Sequence, residues 1–228
     1  MSKTVVLCGS LGSTAAMWDP QRPALAGFEV IDVEHPGHGA APVGEERTIE
    51  ALAARVLAQV EGPFSFVGLS LGGAIGMRLA ADHPERVERL VLACTAARFG
   101  EPAGWHERAA TVRADGLEAI ADAVLARWFT PSFDGVDEYR QMLLSIDAEG
   151  YARCCEALAG WAGDGIERIQ APTLLVAGDK DPSTTPDVLG LLEQRIPGSR
   201  LVVVDGAAHL VNVERADDVN RLLKEHLE

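Results

Sequence analysis

The sequence predicts an α/β protein built on a mostly parallel sheet of about six strands. Three observations carry that expectation. Short apolar runs alternate with longer amphipathic ones, the rhythm of a parallel sheet covered by helices on both faces. One apolar run passes through Gly-x-Ser-x-Gly straight into a helical pattern. From about Arg98 to about Arg168 the strand pattern stops and only helical stretches remain.

Thr4–Cys8 is the first predicted strand. Phe28–Val33, Phe64–Leu69, Leu90–Cys94, Thr173–Ala177 and Leu201–Val204 follow. Each is short, rich in Val, Leu, Ile or Phe, and bounded by Gly, Pro or Asp. Ile49–Gln59 reads as a helix, with Leu52, Val56 and Val60 spaced along one side. Leu71–Asp82 follows the third strand directly, and Pro186–Gln194 and Ala216–Leu227 complete the alternation. In the segment that breaks it, Ala109–Ala114, Leu117–Phe129 and Gly150–Ala159 are helical. A helical cap inserted over the C-terminal edge of the sheet accounts for them. No repeat, low-complexity tract or long linker interrupts the chain. Residues 1–228 therefore read as one domain with a cap insertion at about 98–168.

The chain has 228 residues, enough for one domain with a well-buried core. Hydrophobic residues make up 47% and charged residues 24%, as in ordinary globular proteins. The net charge of -14 disfavours nucleic acid and anionic membranes, which both need a positive surface. The same field opposes any anionic substrate unless a local arginine or lysine offsets it. The N-terminus lacks signal-peptide organisation, and no apolar run has membrane-spanning length, so a cytoplasmic protein is expected. Cys8, Cys94, Cys154 and Cys155 form no Cys-x-x-Cys pair and have no zinc-like spacing with histidines. They read as buried free thiols.

Phe64-Ser65-Phe66-Val67-Gly68-Leu69-Ser70-Leu71-Gly72-Gly73 is the most informative stretch. A serine at a sharp strand-to-helix turn is held in a strained backbone, with its hydroxyl above the sheet and glycines leaving room around it. The helix starting at Leu71 aims its free N–H groups and positive dipole end at developing negative charge. The Leu71 amide is the expected oxyanion donor. Two glycines around a serine also describe a plain turn with an N-cap serine. The strand before and the helix after are what favour the nucleophile.

Such a serine needs a base, and the base needs an orienting carboxylate. His209 is the only histidine that follows a late strand, through Asp205-Gly206-Ala207-Ala208. His226 reads as a solvated face of the C-terminal helix, His83 as a helix-end cap, and His106 lies in the cap. For the acid, Asp179 and Asp181 compete in Gly178-Asp179-Lys180-Asp181-Pro182. Asp179 has the alternative of bonding its own turn, and Asp205 reads as a turn residue. Gly9-Ser10-Leu11-Gly12-Ser13 is a Gly-rich loop that can supply a second backbone donor, assigned to Leu11, although a plain turn has the same composition. His35-Pro36-Gly37-His38-Gly39 lacks a third ligand and reads as a structural turn beside the site rather than a metal site.

Together these stretches resemble the α/β-hydrolase superfamily, and within it the 3-oxoadipate enol-lactonases. The first loop continues into Met17-Trp18-Asp19-Pro20-Gln21, and the elbow runs from Gly68 to Gly73. Pro84-Glu85-Arg86-Val87 through Cys94-Thr95-Ala96-Ala97 extends the likeness. The cap adds Arg108-Ala109-Ala110-Thr111-Val112-Arg113, Arg127-Trp128-Phe129-Thr130-Pro131 and Gly150-Tyr151-Ala152-Arg153-Cys154-Cys155-Glu156-Ala157-Leu158. The resemblance covers nearly the whole chain and implies the α/β-hydrolase fold. It favours Asp181 over Asp179, because its place in Gly-Asp-x-Asp-x matches the family. The implied catalytic residues are Ser70, Asp181 and His209, with Leu11 and Leu71 as oxyanion donors. The implied reaction is hydrolysis of 3-oxoadipate enol-lactone, in β-ketoadipate catabolism of aromatic compounds. Arg127 is then the candidate partner for the substrate carboxylate, beside Trp128; otherwise the two are a solvated helix residue and core packing. Trp18 reads as a wall or core residue. No cofactor or metal is implied.

Two departures from the family stand out. The N-terminal hairpin usual in such enzymes is absent here, which leaves about six strands and makes Phe28–Val33 an exposed edge. An exposed edge invites pairing with a second copy, so a homodimer is expected. Pro36 stands where an arginine often precedes Gly-His-Gly. Other readings use the same residues: a broad carboxylesterase or cofactor-free perhydrolase, a C–C bond hydrolase, or a non-catalytic ligand-binding protein.

Overall fold

The computed structural model describes residues 3–228. Six strands form one sheet: β1 (Thr4–Cys8), β2 (Glu29–Val33), β3 (Phe64–Leu69), β4 (Val87–Ala93), β5 (Thr173–Gly178) and β6 (Arg200–Val204). Their order is β2-β1-β3-β4-β5-β6, and every neighbouring pair is parallel. Between the strands run α1 (Ile49–Leu57), α2 (Leu71–Asp82) and α7 (Pro186–Arg195), and after the last come α8 (Val211–Glu214) and α9 (Ala216–Leu227). Four more helices lie between β4 and β5: α3 (Pro102–Asp115), α4 (Glu118–Trp128), α5 (Val136–Leu144) and α6 (Ala148–Ala159). They are the inserted cap. Among the described residues, no helix is long and apolar enough to cross a membrane.

Central strands are continuous apolar runs because both of their faces are covered. Every residue of β3 and β5 is buried. The chain leaves β1 for β2 on one side and returns to β3 on the other. That reversal opens a crevice beyond the carboxyl ends of β1 and β3, where ligands bind in open α/β sheets. The loop holding Leu11 and the turn holding Ser70 both start there.

The structure refines several boundaries. β4 begins at Val87, three residues before the expected start, because Glu88 and Arg89 hide a strand that pairs with β3 across a register shift. Cys94 lies past its end. α3 starts at Pro102, well before Ala109, and α5 is new: its nine residues place only Tyr139 and Leu143 in the core. A 3-10 helix spans Ala15–Leu25, a segment given no element from the sequence, with Pro20 and Pro23 inside it. Trp18 is a core residue on that helix.

β2 is an edge strand, as the strand order implies. Its edge carries charge, with Asp32 paired to Arg22 at 2.9 Å and Glu29 accepting from Thr4 Oγ1 at 3.2 Å. Charged edges discourage strand pairing. All four cysteines are free and buried.

Candidate active site

Ser70 sits between β3 and α2 with φ 58° and ψ -111°. A side chain in that left-handed region is strained, and the neighbourhood holds it there. The Ser70 N–H donates to Ala93 O at 2.9 Å, and the Ser70 carbonyl accepts from Thr95 Oγ1 at 2.8 Å. Close backbone approach requires glycine on both sides. A Cβ on Gly68 would meet the Gly72 carbonyl, and one on Gly72 would meet the Cys8 carbonyl. Cys94, at the end of the adjacent strand, is also left-handed at φ 43°. Leu71 opens α2, where the first N–H groups have no partner within the helix.

The loop after β1 is pinned to this turn. Gly72 N donates to Gly9 O at 3.1 Å. His35 Nε2 donates to the same carbonyl at 2.9 Å. His38 Nε2 accepts from Gly12 N at 3.1 Å, so its proton is on Nδ1, which donates to Pro36 O at 3.0 Å. Both histidines are buried. Burial, more than any other influence, pushes His35 down to about 4 and His38 down to about 3. The pair is therefore the structural turn expected, and it holds the loop that carries Leu11. Pro36 fits this role through its carbonyl.

Asp181 and His209 meet across the loops after β5 and β6. His209 Nδ1 donates to Asp181 Oδ2 at 2.7 Å. Thr184 Oγ1 donates to the same oxygen at 2.5 Å, and the Ser183 and Thr184 N–H groups donate to Oδ1 at 2.8 and 3.1 Å. Burial pushes the Asp181 carboxyl up, but the His209 charge and these hydrogen bonds outweigh it and hold the group down to about 2. A carboxylate so held fixes the imidazole's tautomer and leaves Nε2 free to take a proton. Asp179 does different work. Its Oδ1 accepts from Gly206 N at 2.6 Å and Ala207 N at 3.3 Å, so it braces the loop after β6 rather than its own turn.

Cys94 Sγ, an Asp181 oxygen and a His209 nitrogen lie within 4.8 Å of one another. This donor set does not suit a resident metal. The Asp181 and His209 atoms are engaged with each other. Burial first, and the Asp181 charge second, push the Cys94 thiol well above its usual value, which keeps it protonated.

A cavity of about 320 Å³ lies between sheet and cap, and Ser70, His209, Leu11, Arg127 and Trp128 all line it. Asp181 stands behind His209. The structure thus gathers the sequence-predicted residues at one place, with Trp128 buried and Arg127 half-buried at the end of α4. His106 is exposed on α3, and His83 caps α2, donating from its N–H to Leu79 O at 2.8 Å. His226 departs from its expected solvated role. It is half-buried, with Nε2 3.1 Å from Leu90 O and 3.2 Å from Pro172 O, and so ties α9 to β4 and the entry of β5.

Three residues here escaped the sequence reading. Thr184 clamps the carboxylate, and its signal was the Asp-x-x-Thr spacing of a side-chain-capped turn. Glu214 bridges the His209 loop and the cap, and no local pattern announces it. Arg108 also lines the cavity, though its sequence placed it only within a cap motif.

Comparison with known proteins agrees with this geometry. Residues 5–222 match the model of the Alpha/beta hydrolase family. A 3-oxoadipate enol-lactonase from Acinetobacter baylyi is 37% identical, over 96% of this chain and 86% of that protein. A pimeloyl-[acyl-carrier protein] methyl ester esterase from Neisseria meningitidis is 34% identical, over 99% of this chain and 94% of that protein. The crystal structure of an enol-lactonase from Burkholderia xenovorans superposes with a TM-score of 0.96 at 37% identity, covering all (100%) of this chain and 92% of that one. With its parallel sheet, serine elbow and inserted cap, the chain belongs to the alpha/beta hydrolase family.

Proposed function

We propose that the protein is a serine hydrolase that opens 3-oxoadipate enol-lactone to 3-oxoadipate, in the catabolism of aromatic compounds. The observation that carries this reading is the 2.7 Å bond between Asp181 and His209 beside a cavity that also receives Ser70 and Arg127. The enol-lactonase relatives at 37% identity support the substrate. A cavity of about 320 Å³ is at the small end for ligand sites and suits a compact acid.

His209 takes the Ser70 proton as Ser70 Oγ attacks the lactone carbonyl. The Leu11 and Leu71 amides stabilise the oxyanion. Its collapse breaks the ring C–O bond. The departing enolate takes the proton held by His209, which restores the neutral imidazole, and becomes the ketone, leaving an acyl group on Ser70. Water, deprotonated by His209, attacks that ester and releases 3-oxoadipate. Arg127 grips the substrate carboxylate, with Trp128 as the wall beside it. In this reading residues 1–228 act as one domain, with 98–168 as its cap. Self-association would use the exposed β2 edge in spite of its charge, and a monomer in light scattering would remove it.

The test is loss of enol-lactone absorbance with wild-type protein and with Ser70→Ala. Fast turnover that disappears in the variant supports the assignment. If only aryl acetates are hydrolysed, and that too is lost in Ser70→Ala, the protein is a carboxylesterase. The methyl ester esterase relative at 34% identity favours that second reading.

A further inference from the structure

Arg108 on α3 and Arg127 on α4 line the same cavity as Ser70 and His209, and each is half-buried. Neither forms an ion pair among the described residues. Other cap arginines do: Arg113 with Glu149 and Glu156, Arg140 with Glu118, and Arg153 with Glu149. In a chain of net charge -14, carboxylates are abundant, so two unpaired guanidiniums facing one cavity are a local exception. Arg108 is also held in place. Its guanidinium lies 4.7 Å from the Trp105 ring centroid, and Tyr151 lines the same cavity beside it. The two arginines feel each other. Burial, then the Arg108 charge, lowers the pKa of Arg127 from its ordinary value. Like charges brought together out of water are costly, and an anion bound between them relieves both the repulsion and the lost solvation. Each guanidinium carries the planar fork that matches a carboxylate.

We propose that Arg108 and Arg127 together form a carboxylate subsite, which selects small esters and lactones that carry an anionic group away from the bond being cleaved. This rests on the reading of Ser70 and His209 as the hydrolytic group. It adds Arg108 as a second specificity-determining residue. It also explains how a strongly acidic protein admits an anionic substrate: two cations inside the cavity locally overcome the background field.

The test compares mono-4-nitrophenyl glutarate, which is anionic, with 4-nitrophenyl pentanoate, a neutral ester of similar length. The wild type is expected to prefer the anionic ester in kcat/KM. Arg108→Gln should reduce the anionic-to-neutral ratio about 10- to 100-fold, chiefly through KM, as expected for loss of a hydrogen bond to a charged group. Arg108→Lys keeps the charge without the fork and should fall between the two. A ratio unchanged in Arg108→Gln overturns the proposal. Thermal unfolding with free glutarate gives a readout independent of turnover. Glutarate should raise the Tm of the wild type more than that of Arg108→Gln, and an equal shift in both also overturns it. Failure of the enol-lactone assay alone sinks the lactonase reading and leaves the ester ratio and the glutarate shift to decide the subsite.

Discussion

The backbone N–H of His209 donates to the carbonyl of Arg127 at 3.3 Å. The next pair repeats the contact, Leu210 N to Trp128 O at 3.0 Å. The C-terminal turn of α4 leaves carbonyls without helical partners, and the His209 loop supplies their donors. Arg127 of the cap and His209, whose imidazole bonds Asp181, therefore share a backbone hydrogen bond.

Glu214 reinforces this junction. One oxygen accepts from Thr130 N at 2.9 Å and Thr130 Oγ1 at 2.6 Å, and the other accepts from Ala208 N at 2.6 Å. Glu214→Gln retains one acceptor oxygen, so it can serve only one side of the bridge. We expect kcat to fall about 10-fold, in line with loss of about 1.5 kcal/mol of charged hydrogen bonding, with a smaller change in KM. Glu214→Ala should cost more. Steady-state kinetics beside urea unfolding checks both.

Asp181→Asn tests the acid. An amide cannot hold the Nδ1–H tautomer of His209 as a carboxylate does, and loss of about 10⁴ in kcat is expected with the fold retained. The carboxyl is held at about 2, below its ordinary 3.8, so it binds fewer protons folded than unfolded. Its contribution of about 2 kcal/mol is present above pH 4 and is lost as pH falls through about 2. Urea midpoints of wild type and Asp181→Asn should converge across that window.

His35 and His38 set an earlier acid limit. Folded, they titrate at about 4 and about 3, whereas unfolded they take protons near 6.5. Between those values the unfolded chain binds more protons, so stability falls as pH drops below 6.5. Each histidine contributes a slope of about 1.4 kcal/mol per pH unit. His38→Ala should remove one such slope and also lower kcat, because the Gly12 amide loses its acceptor. Denaturant unfolding between pH 7 and pH 4.5 measures the first effect.

Gly72→Ala and Gly104→Ala make opposite predictions. A Cβ on Gly72 would meet the Cys8 carbonyl and come within 2.9 Å of Gly9 O, and backbone there cannot yield without moving the Leu11 loop. Loss of about 2 kcal/mol or more, with reduced kcat, is expected. Gly104, inside α3, has nothing within 4 Å of the same atom. Its replacement should stabilise by about 0.5–1 kcal/mol. Thermal melts of both variants decide the pair.

The sequence by itself determined the parallel core, Leu71–Asp82 and Ala216–Leu227 to the residue, and the turn that presents Ser70. These rest on short-range rules: apolar periodicity, and glycines where a backbone passes too close for a Cβ. Polar strand starts such as Glu88-Arg89 and the proline-bearing 3-10 helix broke those rules and stayed hidden. The resemblance favoured Asp181 as the partner of His209, and the tertiary structure supplies the physical reason. Asp179 and Asp181 are two residues apart on one loop, and what separates them is that Asp181 faces His209 while Asp179 faces Gly206 and Ala207. The same holds for Glu214 and His226, which reach Thr130, Leu90 and Pro172 far along the chain. Their roles come from the meeting of the cap, the strand-end loops and the last helix, and that meeting has no local signature.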